Sequence, residues 1–423
     1  MTFRFLHLAD LHLETVYGGR ASTRERLREA SLQAFERAVD FALERRLDAL
    51  LIAGDAFDDP LLSRRTELFF VRQLRRLAAA GTHALYCCGN HDPGGSSLRA
   101  AHLGLDSGDD PSKALLHIFR GARPEVVTLS GRDGEPVGVV VGAGHTTDRE
   151  SRDLAANFTR LKTGLPVVGL LHCQVGSARD AAEHARYAPA SREDLARVEY
   201  DYWALGHVHL RQRPFADLPA WYAGNLQGRN ARETGPKGGL LVELAAGEPV
   251  DPAFVPFAPV RWEHLRLEGL EGYATFSGLL DHLVARVREA GAGGNEELAL
   301  RLELTGPTPL AGELRSADTR SELEEELLEC SGVVEIQLRT HGTRRPRALA
   351  DLRRTPSVLR EALDLCEAAA GDPALLASLE PEVLAAFEGT DAPDAERRRD
   401  HLASLLKGLD EELLERCLGQ EPA

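Results

Sequence analysis

Short continuous apolar runs, each stopped by a polar cluster, dominate the first 250 residues. Residues 3–9 end at Asp10-Leu11-His12. Asp48-Ala49-Leu50-Leu51-Ile52-Ala53 ends at Gly54-Asp55, and Ala84-Leu85-Tyr86-Cys87-Cys88 ends at Gly89-Asn90-His91-Asp92. Further on, Val167-Val168-Gly169-Leu170-Leu171 runs into His172, and Asp201-Tyr202-Trp203-Ala204-Leu205 into Gly206-His207-Val208-His209. Runs of this length without alternation read as strands buried on both faces. Helix-period stretches separate the first three. One opens at Ser22-Thr23-Arg24-Glu25, a capping box, and carries Leu27, Ala30, Ala34, Ala38 and Phe41 at helical spacing to about residue 46. A second spans residues 62–80. This strand–helix–strand–helix–strand order predicts an α/β fold, a mainly parallel sheet covered by helices. In such sheets ligands bind outside the carboxyl ends of the strands.

Residues 96–115 are irregular and polar. Short strands are expected at 115–119, 125–129 and 137–143, helices near 149–161 and from Ser191, and strands at 220–222 and 239–244. A proline-rich stretch at 251–259 offers the best boundary. Residues 261–340 then alternate β–α–β–α–β, the pattern of a small α+β domain. After Arg344-Arg345-Pro346-Arg347 the tail from Ser357 is helical, broken at Gly371-Asp372-Pro373 and again at 389–393. The expected segments are therefore 1–258, 259–342 and 343–423.

Composition narrows the picture without redirecting it. With 27% charged and 43% hydrophobic residues, the chain is ordinary for a soluble globular protein. No apolar run approaches the roughly 20 residues needed to span a bilayer, and the N-terminus reads as a strand rather than a signal peptide, so a cytoplasmic location without membrane partners is expected. The six cysteines show no C-x-x-C spacing and read as buried reduced thiols. Net charge is −16, but residues 350–423 hold −9 of it, and a carboxylate-built metal site adds formal negative charge that bound cations neutralise. Acidity therefore does not exclude a nucleic-acid partner.

Each polar cluster has an ordinary explanation taken singly: a strand-end pair, a helix cap, a turn or a half-buried histidine. Five of them, each at the end of an apolar run, do not. Asp10, His12, Asp55, Asn90, His91, Asp92, His172, His207 and His209 supply carboxylates, imidazoles and an amide oxygen, a donor set suited to two divalent first-row metals such as Mn²⁺ or Fe²⁺. Adjacent side chains of Asp-x-His or His-x-His point apart in extended backbone. The strand ends must therefore curve into loop for both to ligate.

Asp-x-His, Gly-Asp, Gly-Asn-His-Asp, His and Gly-His-x-His in this order resemble the calcineurin-like metallophosphoesterases. Leu205-Gly206-His207-Val208-His209, Tyr222-Ala223-Gly224-Asn225-Leu226-Gln227-Gly228-Arg229 and Arg232-Glu233-Thr234-Gly235-Pro236-Lys237-Gly238 look like the SbcD-type DNA-repair exonucleases, the YhaO branch above all. The motifs cover residues 1 to about 245. The resemblance implies a sandwich of two packed mixed β-sheets flanked by helices, with a small α+β capping domain and a helical C-terminal tail. It further implies two divalent ions, manganese foremost. One would be held by Asp10, His12, Asp55 and His209, the other by Asp55, Asn90, His172 and His207, with Asp55 bridging. His91 would be the catalytic histidine; Asp92, its neighbour in sequence, is the candidate to orient it. Two metals roughly 3.5–4 Å apart can clamp a phosphodiester and activate a water. The chain departs from the branch at Glu14, where glycine often follows Asp-x-His-Leu.

For the substrate, Arg229, Arg232 and Lys237 in a glycine-rich loop are the candidate DNA phosphate contacts. Arg20, Arg24, Arg211 and Arg213 are weaker ones in a chain whose positive charge is nearly all arginine. The resemblance implies a manganese-dependent DNA nuclease that partners an SbcC-like ABC ATPase with a coiled coil, in a family that is commonly dimeric. Leu359, Leu363 and Cys366, or Leu375, Leu379 and Leu384, could form apolar faces for that partner or pack on the chain itself. The competing readings are a small-molecule phosphoesterase and a non-catalytic scaffold for an ATPase.

Overall fold

A computed structural model describes residues 2–346, apart from 16, 19, 59–62, 95–114, 177–186, 293 and 295, and also the helix Val358–Gly371. The first strands follow the apolar runs closely: β1 (Phe3–Leu8), β2 (Ala49–Ala53) and β3 (His83–Cys87), separated by α1 (Ala21–Glu44) and α2 (Arg64–Ala79). Next come β4 (Leu116–Phe119), β5 (Glu125–Ser130), β6 (Pro136–Ala143), β7 (Val167–His172), and the short pair β8 (Gln174–Val175) and β9 (Pro189–Ala190). The body closes with β10 (Tyr202–Gly206), β11 (Ala220–Tyr222), β12 (Gly238–Leu244) and β13 (Ala253–Pro256).

Apart from the β8–β9 pair, these strands build the two packed mixed sheets that the resemblance implies, where the alternation of strands and helices by itself predicts one. A six-stranded sheet runs β13-β12-β1-β2-β3-β4, and a five-stranded sheet runs β11-β10-β7-β6-β5. Both are mixed. β1 to β4 are mutually parallel, with β12 antiparallel to β1 at the register Phe5↔Val242. In the second sheet β6, β7, β10 and β11 are parallel and β5 is antiparallel. Strand periodicity explains the continuous apolar runs. Phe3, Phe5, Ala49, Leu51 and Leu85 face the second sheet, where they meet Val140, Val168, Leu170, Tyr202 and Ala204. Leu6, Leu8, Leu50 and Ile52 face the opposite way, onto Ala34, Phe35, Ala38, Phe70 and Leu74 of the helices. Burying one such side chain is worth about 1.5–3 kcal/mol, so a polar residue is costly at any of these positions. His7 is the exception between the sheets: its Nδ1 lies 3.0 Å from the Tyr202 hydroxyl, a polar tie from β1 to β10.

Several local expectations are corrected. α1 starts at Ala21 with Arg20 at the N-cap and no side-chain cap, so Ser22 lies inside the first turn and closes no capping box; Thr23, beside it, bonds to Glu335 and the Val334 carbonyl. Helix α2 has the cap that was not foreseen, Ser63, whose hydroxyl accepts from Thr66 N. The helix expected at 149–161 is irregular apart from one 3₁₀ turn, Ala155–Asn157, and the helix after Ser191 is only Arg192–Ala196. The proline-rich stretch contains β13, which extends the first sheet. Cys87, Cys88 and Cys173 are buried, and burial pushes all three thiols well above the ordinary thiol range; Cys330 is exposed.

Beyond residue 258, β14 (Val260–Leu267), β15 (Glu297–Pro307) and β16 (Glu335–Arg344) form a three-stranded sheet, with helices Phe276–Gly291 and Ala317–Ser331 in the connections. The chain divides into two compact units. The first comprises Met1–Arg266, Leu280–Glu303 and Ser321–Arg339; within it Val260, Trp262 and Ala299 pack with Tyr17, Leu27, Ala30 and Ala231. The second comprises Leu267–Leu279, Leu304–Arg320 and the described residues from Thr340 onward. It is pinned by Thr308 N donating to the Arg344 carbonyl (2.7 Å) and by the Thr340 hydroxyl donating to the Leu314 carbonyl (2.8 Å). In the tail helix Leu363 is buried and Leu365 exposed. The side chains of Leu359 and Cys366, and all of Leu375, Leu379 and Leu384, lie outside the described residues.

Candidate dimetal active site

Five strand ends meet at one place, three from the first sheet (β1, β2, β3) and two from the second (β7, β10). The chain turns sharply there. Asp10, His12, Asp55 and His207 all have left-handed backbone, with φ of 50°, 43°, 46° and 103°. Such a conformation costs a non-glycine residue about 1–2 kcal/mol. It answers the geometric problem of Asp-x-His, because Asp10 and His12 both bend away from the strand direction. The loops after β1 and β2 hold one another in this shape: Asp10 N donates to Gly54 O (3.2 Å), His12 N to Asp55 O (3.0 Å) and Leu13 N to Ala56 O (3.0 Å).

The glycines are needed for space. A Cβ on Gly89 would sit 2.1 Å from Asp55 Oδ1, and one on Gly206 would sit 1.7 Å from the Ala53 carbonyl oxygen. Each glycine lets a neighbouring strand end come close enough to share the pocket.

The donors fall into two overlapping groups. His12 Nε2 and His209 Nε2 face each other at 3.1 Å, with Asp10 Oδ1 4.0 and 3.9 Å away and Asp55 Oδ2 3.9 Å from His12. On the other side Asn90 Oδ1 lies 3.0 Å from His172 Nε2 and 3.2 Å from His207 Nδ1, while Asp55 Oδ2 lies 3.3 Å from His172 Nε2. Asp55 Oδ2 thus adjoins both groups, and its Oδ1 accepts from His91 N at 2.9 Å. Asp10 binds the sheets together, since its carboxylate accepts from His207 N. Asp10, His12, Asp55, His172, His207 and His209 are all buried.

This donor set fits two divalent cations. Facing imidazole nitrogens among carboxylates, out of water, are poor neighbours without a cation between them. Burial pushes the Asp55 carboxyl up, but His172, His12 and His91 outweigh it and hold it well below the usual range. Burial alone would lower His172; Asp55 and Asp10 reverse this and raise it to about 9. His12 goes the other way, lowered to about 4 by burial and by Arg229.

His91 differs from the rest. Its side chain is 40% exposed, and its Nδ1 sits 3.1 Å from the Asp58 carbonyl oxygen and 3.4 Å from Asp58 Oδ1. The expectation that Asp92 supports His91 is corrected here. Asp92 Oδ1 accepts from Gly89 N (2.8 Å) and Oδ2 from Phe57 N (3.1 Å), so this buried carboxylate fastens the loop backbone. Burial and the nearby Asp55 charge raise its pKa to about 6. Asp58 is the residue beside His91. It was legible only as a second acid three positions after Asp55.

The DNA-contact expectations fare unevenly. Arg229 is drawn inward, with Nη1 3.2 Å from Asp58 Oδ1, Nε 3.4 Å from Glu233 Oε1 and its backbone N donating to Glu233 Oε2. Lys237 is buried and donates from Nζ to the His209 carbonyl at 3.3 Å. Both brace the site rather than facing solvent. Arg232 is exposed. Arg211 and Arg213 lie over the rings of Phe254 and Trp221, with centroid distances of 3.6 and 4.6 Å.

Residues 3–211 match the calcineurin-like phosphoesterase family, and residues 262–341 match the middle domain of the metallophosphoesterase YhaO. The metallophosphoesterase YhaO of Bacillus subtilis is 30% identical over 312 residues, 72% of each chain. The DNA double-strand break repair protein Mre11 of Aeropyrum pernix is 33% identical over 258 residues, 58% of this chain and 59% of its own. Its namesake from Haloferax volcanii is 27% identical over 57% of this chain and 49% of its own. No described helix is long and apolar enough to cross a membrane. With its two packed mixed sheets, the donor cluster at their shared edge and these relatives, the chain belongs to the calcineurin-like metallophosphoesterases, in the branch that contains YhaO and Mre11.

Proposed function

We propose that the protein is a DNA nuclease that hydrolyses phosphodiester bonds in DNA repair, with manganese as its metal. The observation that carries this reading is His91, half-exposed at the edge of an otherwise buried donor cluster. When bound, two divalent ions held by Asp10, His12, Asp55 and His209 and by Asp55, Asn90, His172 and His207 supply a clamp for the phosphodiester and an activated water. The residues do the rest. Asp55 reaches both groups of donors from one oxygen. The Asp58 carbonyl commits His91 Nδ1 as a donor, which leaves Nε2 to carry a proton to the leaving oxygen or to meet charge on the phosphate. The choice of DNA is supported by relatives named for double-strand break repair. An ABC-type ATPase with a coiled coil, or a second copy of this chain, is the partner this reading entails.

The test uses the full chain with Mn²⁺, labelled linear DNA and, separately, bis-p-nitrophenyl phosphate. Both substrates should be cleaved, and His91→Ala should lower both rates by about 10²–10⁴-fold. DNA affinity should fall steeply with salt. Turnover of the small diester without DNA cleavage, even with the ATPase added, would replace the nuclease by a small-molecule phosphoesterase. Undiminished cleavage by folded His91→Ala would remove His91 from the chemistry.

A further inference from the structure

Five side chains from four separate stretches close a ring at one edge of the donor cluster. His12 Nδ1 lies 2.8 Å from Asp58 Oδ1, and the same oxygen lies 3.2 Å from Arg229 Nη1. Arg229 continues to Glu233 through its backbone N, which is 2.7 Å from Oε2, and through Nε. Glu233 Oε1 lies 2.8 Å from His209 Nδ1, and His209 Nε2 returns to His12 Nε2 at 3.1 Å. Asn225 Nδ2 secures Glu233 Oε2 at 2.7 Å. Each imidazole thus has a carboxylate at Nδ1. Arg229 Nη2 also lies 3.2 Å from His209 Nδ1, and with the Nδ1 edges of both rings occupied in this way the two Nε2 atoms face one space.

We propose that Arg229 and Glu233 are positioning residues for the first metal, with Glu233 orienting His209 and Arg229 tying Glu233 to Asp58 so that His12 and His209 converge. A half-buried guanidinium between two carboxylates is the natural tie. Its planar fork reaches both, and its charge keeps them from repelling across the ring. The phosphate-contact role first assigned to Arg229 gives way to an internal one. The motif Gly224-Asn225-Leu226-Gln227-Gly228-Arg229 with Glu233 then gains a physical reason, since Asn225, Arg229 and Glu233 form one brace under a metal histidine. Loss of partners that orient a ligating histidine commonly costs 10–100-fold in metal affinity.

The inference rests on the two-metal reading but not on DNA as substrate, so calorimetric titration with Mn²⁺ alone tests it separately. Full-length Glu233→Ala and Arg229→Ala should each weaken one of two Mn²⁺ sites by about 10–100-fold, with the other site little changed. The double variant should be no weaker than the worse single one, because both act through one brace. Arg229→Lys should recover part of the loss, and the electron paramagnetic resonance of bound Mn²⁺ should change in the alanine variants. Should an alanine variant fail to fold, Glu233→Gln and Arg229→Lys carry the test, each with at least a severalfold loss expected. Unchanged Mn²⁺ affinity in folded Arg229→Ala, with the salt dependence of DNA binding reduced by about one phosphate contact, would return Arg229 to the DNA and overturn the proposal. Equal weakening of both sites would also overturn it, as a general structural effect.

Discussion

Gly89, Asn90, His91 and Asp92 are adjacent in sequence yet face four different environments. Gly89 makes room for Asp55, Asn90 lies between His172 and His207, His91 stands half in solvent, and Asp92 holds two backbone N–H groups. Substitution should therefore separate the last two. His91→Ala should leave the urea midpoint and the metal content nearly unchanged while hydrolysis collapses. Asp92→Ala strands two buried donors and should cost about 2–4 kcal/mol in urea unfolding. Equal stability losses in both would refute this division. Residue types were readable in advance because metal donors are few. Asp58 and Glu233 were not, since a carboxylate that supports a histidine looks like any surface acid until the fold brings it within 2.8 Å. Glu14 is instructive in the same way. Its φ is +69°, the region where glycine pays least, which accounts for glycine at this place in the branch. Here the Glu14 carboxylate accepts from Ser63 N, at the start of α2.

At the scale of elements, strand ends were legible and helix ends less so. The β runs are apolar on both faces and stop where donors begin, so composition alone marks β1, β2, β3, β7 and β10. The capping box at Ser22 misled because the helix begins earlier, at Ala21, which places Ser22 inside the first turn; Thr23 there bonds to Glu335, 312 residues away, which no local pattern encodes. Residues 149–161 failed similarly. The segment packs Leu154, Ala155 and Phe158 into the outer face of the second sheet, which needs apolar residues but no helix. β10 approaches β2 closely where Gly206 lies on the Ala53 carbonyl. Gly206→Ala should force these strands apart and cost at least about 3 kcal/mol, with Mn²⁺ binding impaired in whatever folds. A midpoint within error of the parent in urea melts would show that the approach is not as close as described.

For the whole molecule, the decisive feature is that the pocket lies where two sheets end side by side. Asp55, from the first sheet, meets His172 of the second and His12 of its own. Asp55→Asn should therefore release both metals together, and elemental analysis showing loss of one ion alone would argue against bridging. The family resemblance supplied the roles proposed for the cluster residues, His91 included, while sequence by itself determined the strands, their order and the candidate donors at their ends. These follow from burial on two faces and from donor chemistry, both local properties of a run and its end. Only the tertiary structure decided how the strands divide between the two sheets, that Asp58 rather than Asp92 adjoins His91, and that Arg229 and Lys237 turn inward. Those outcomes depend on which distant groups meet at about 3 Å, and a chain carries no local mark of a partner 20 or 170 residues away.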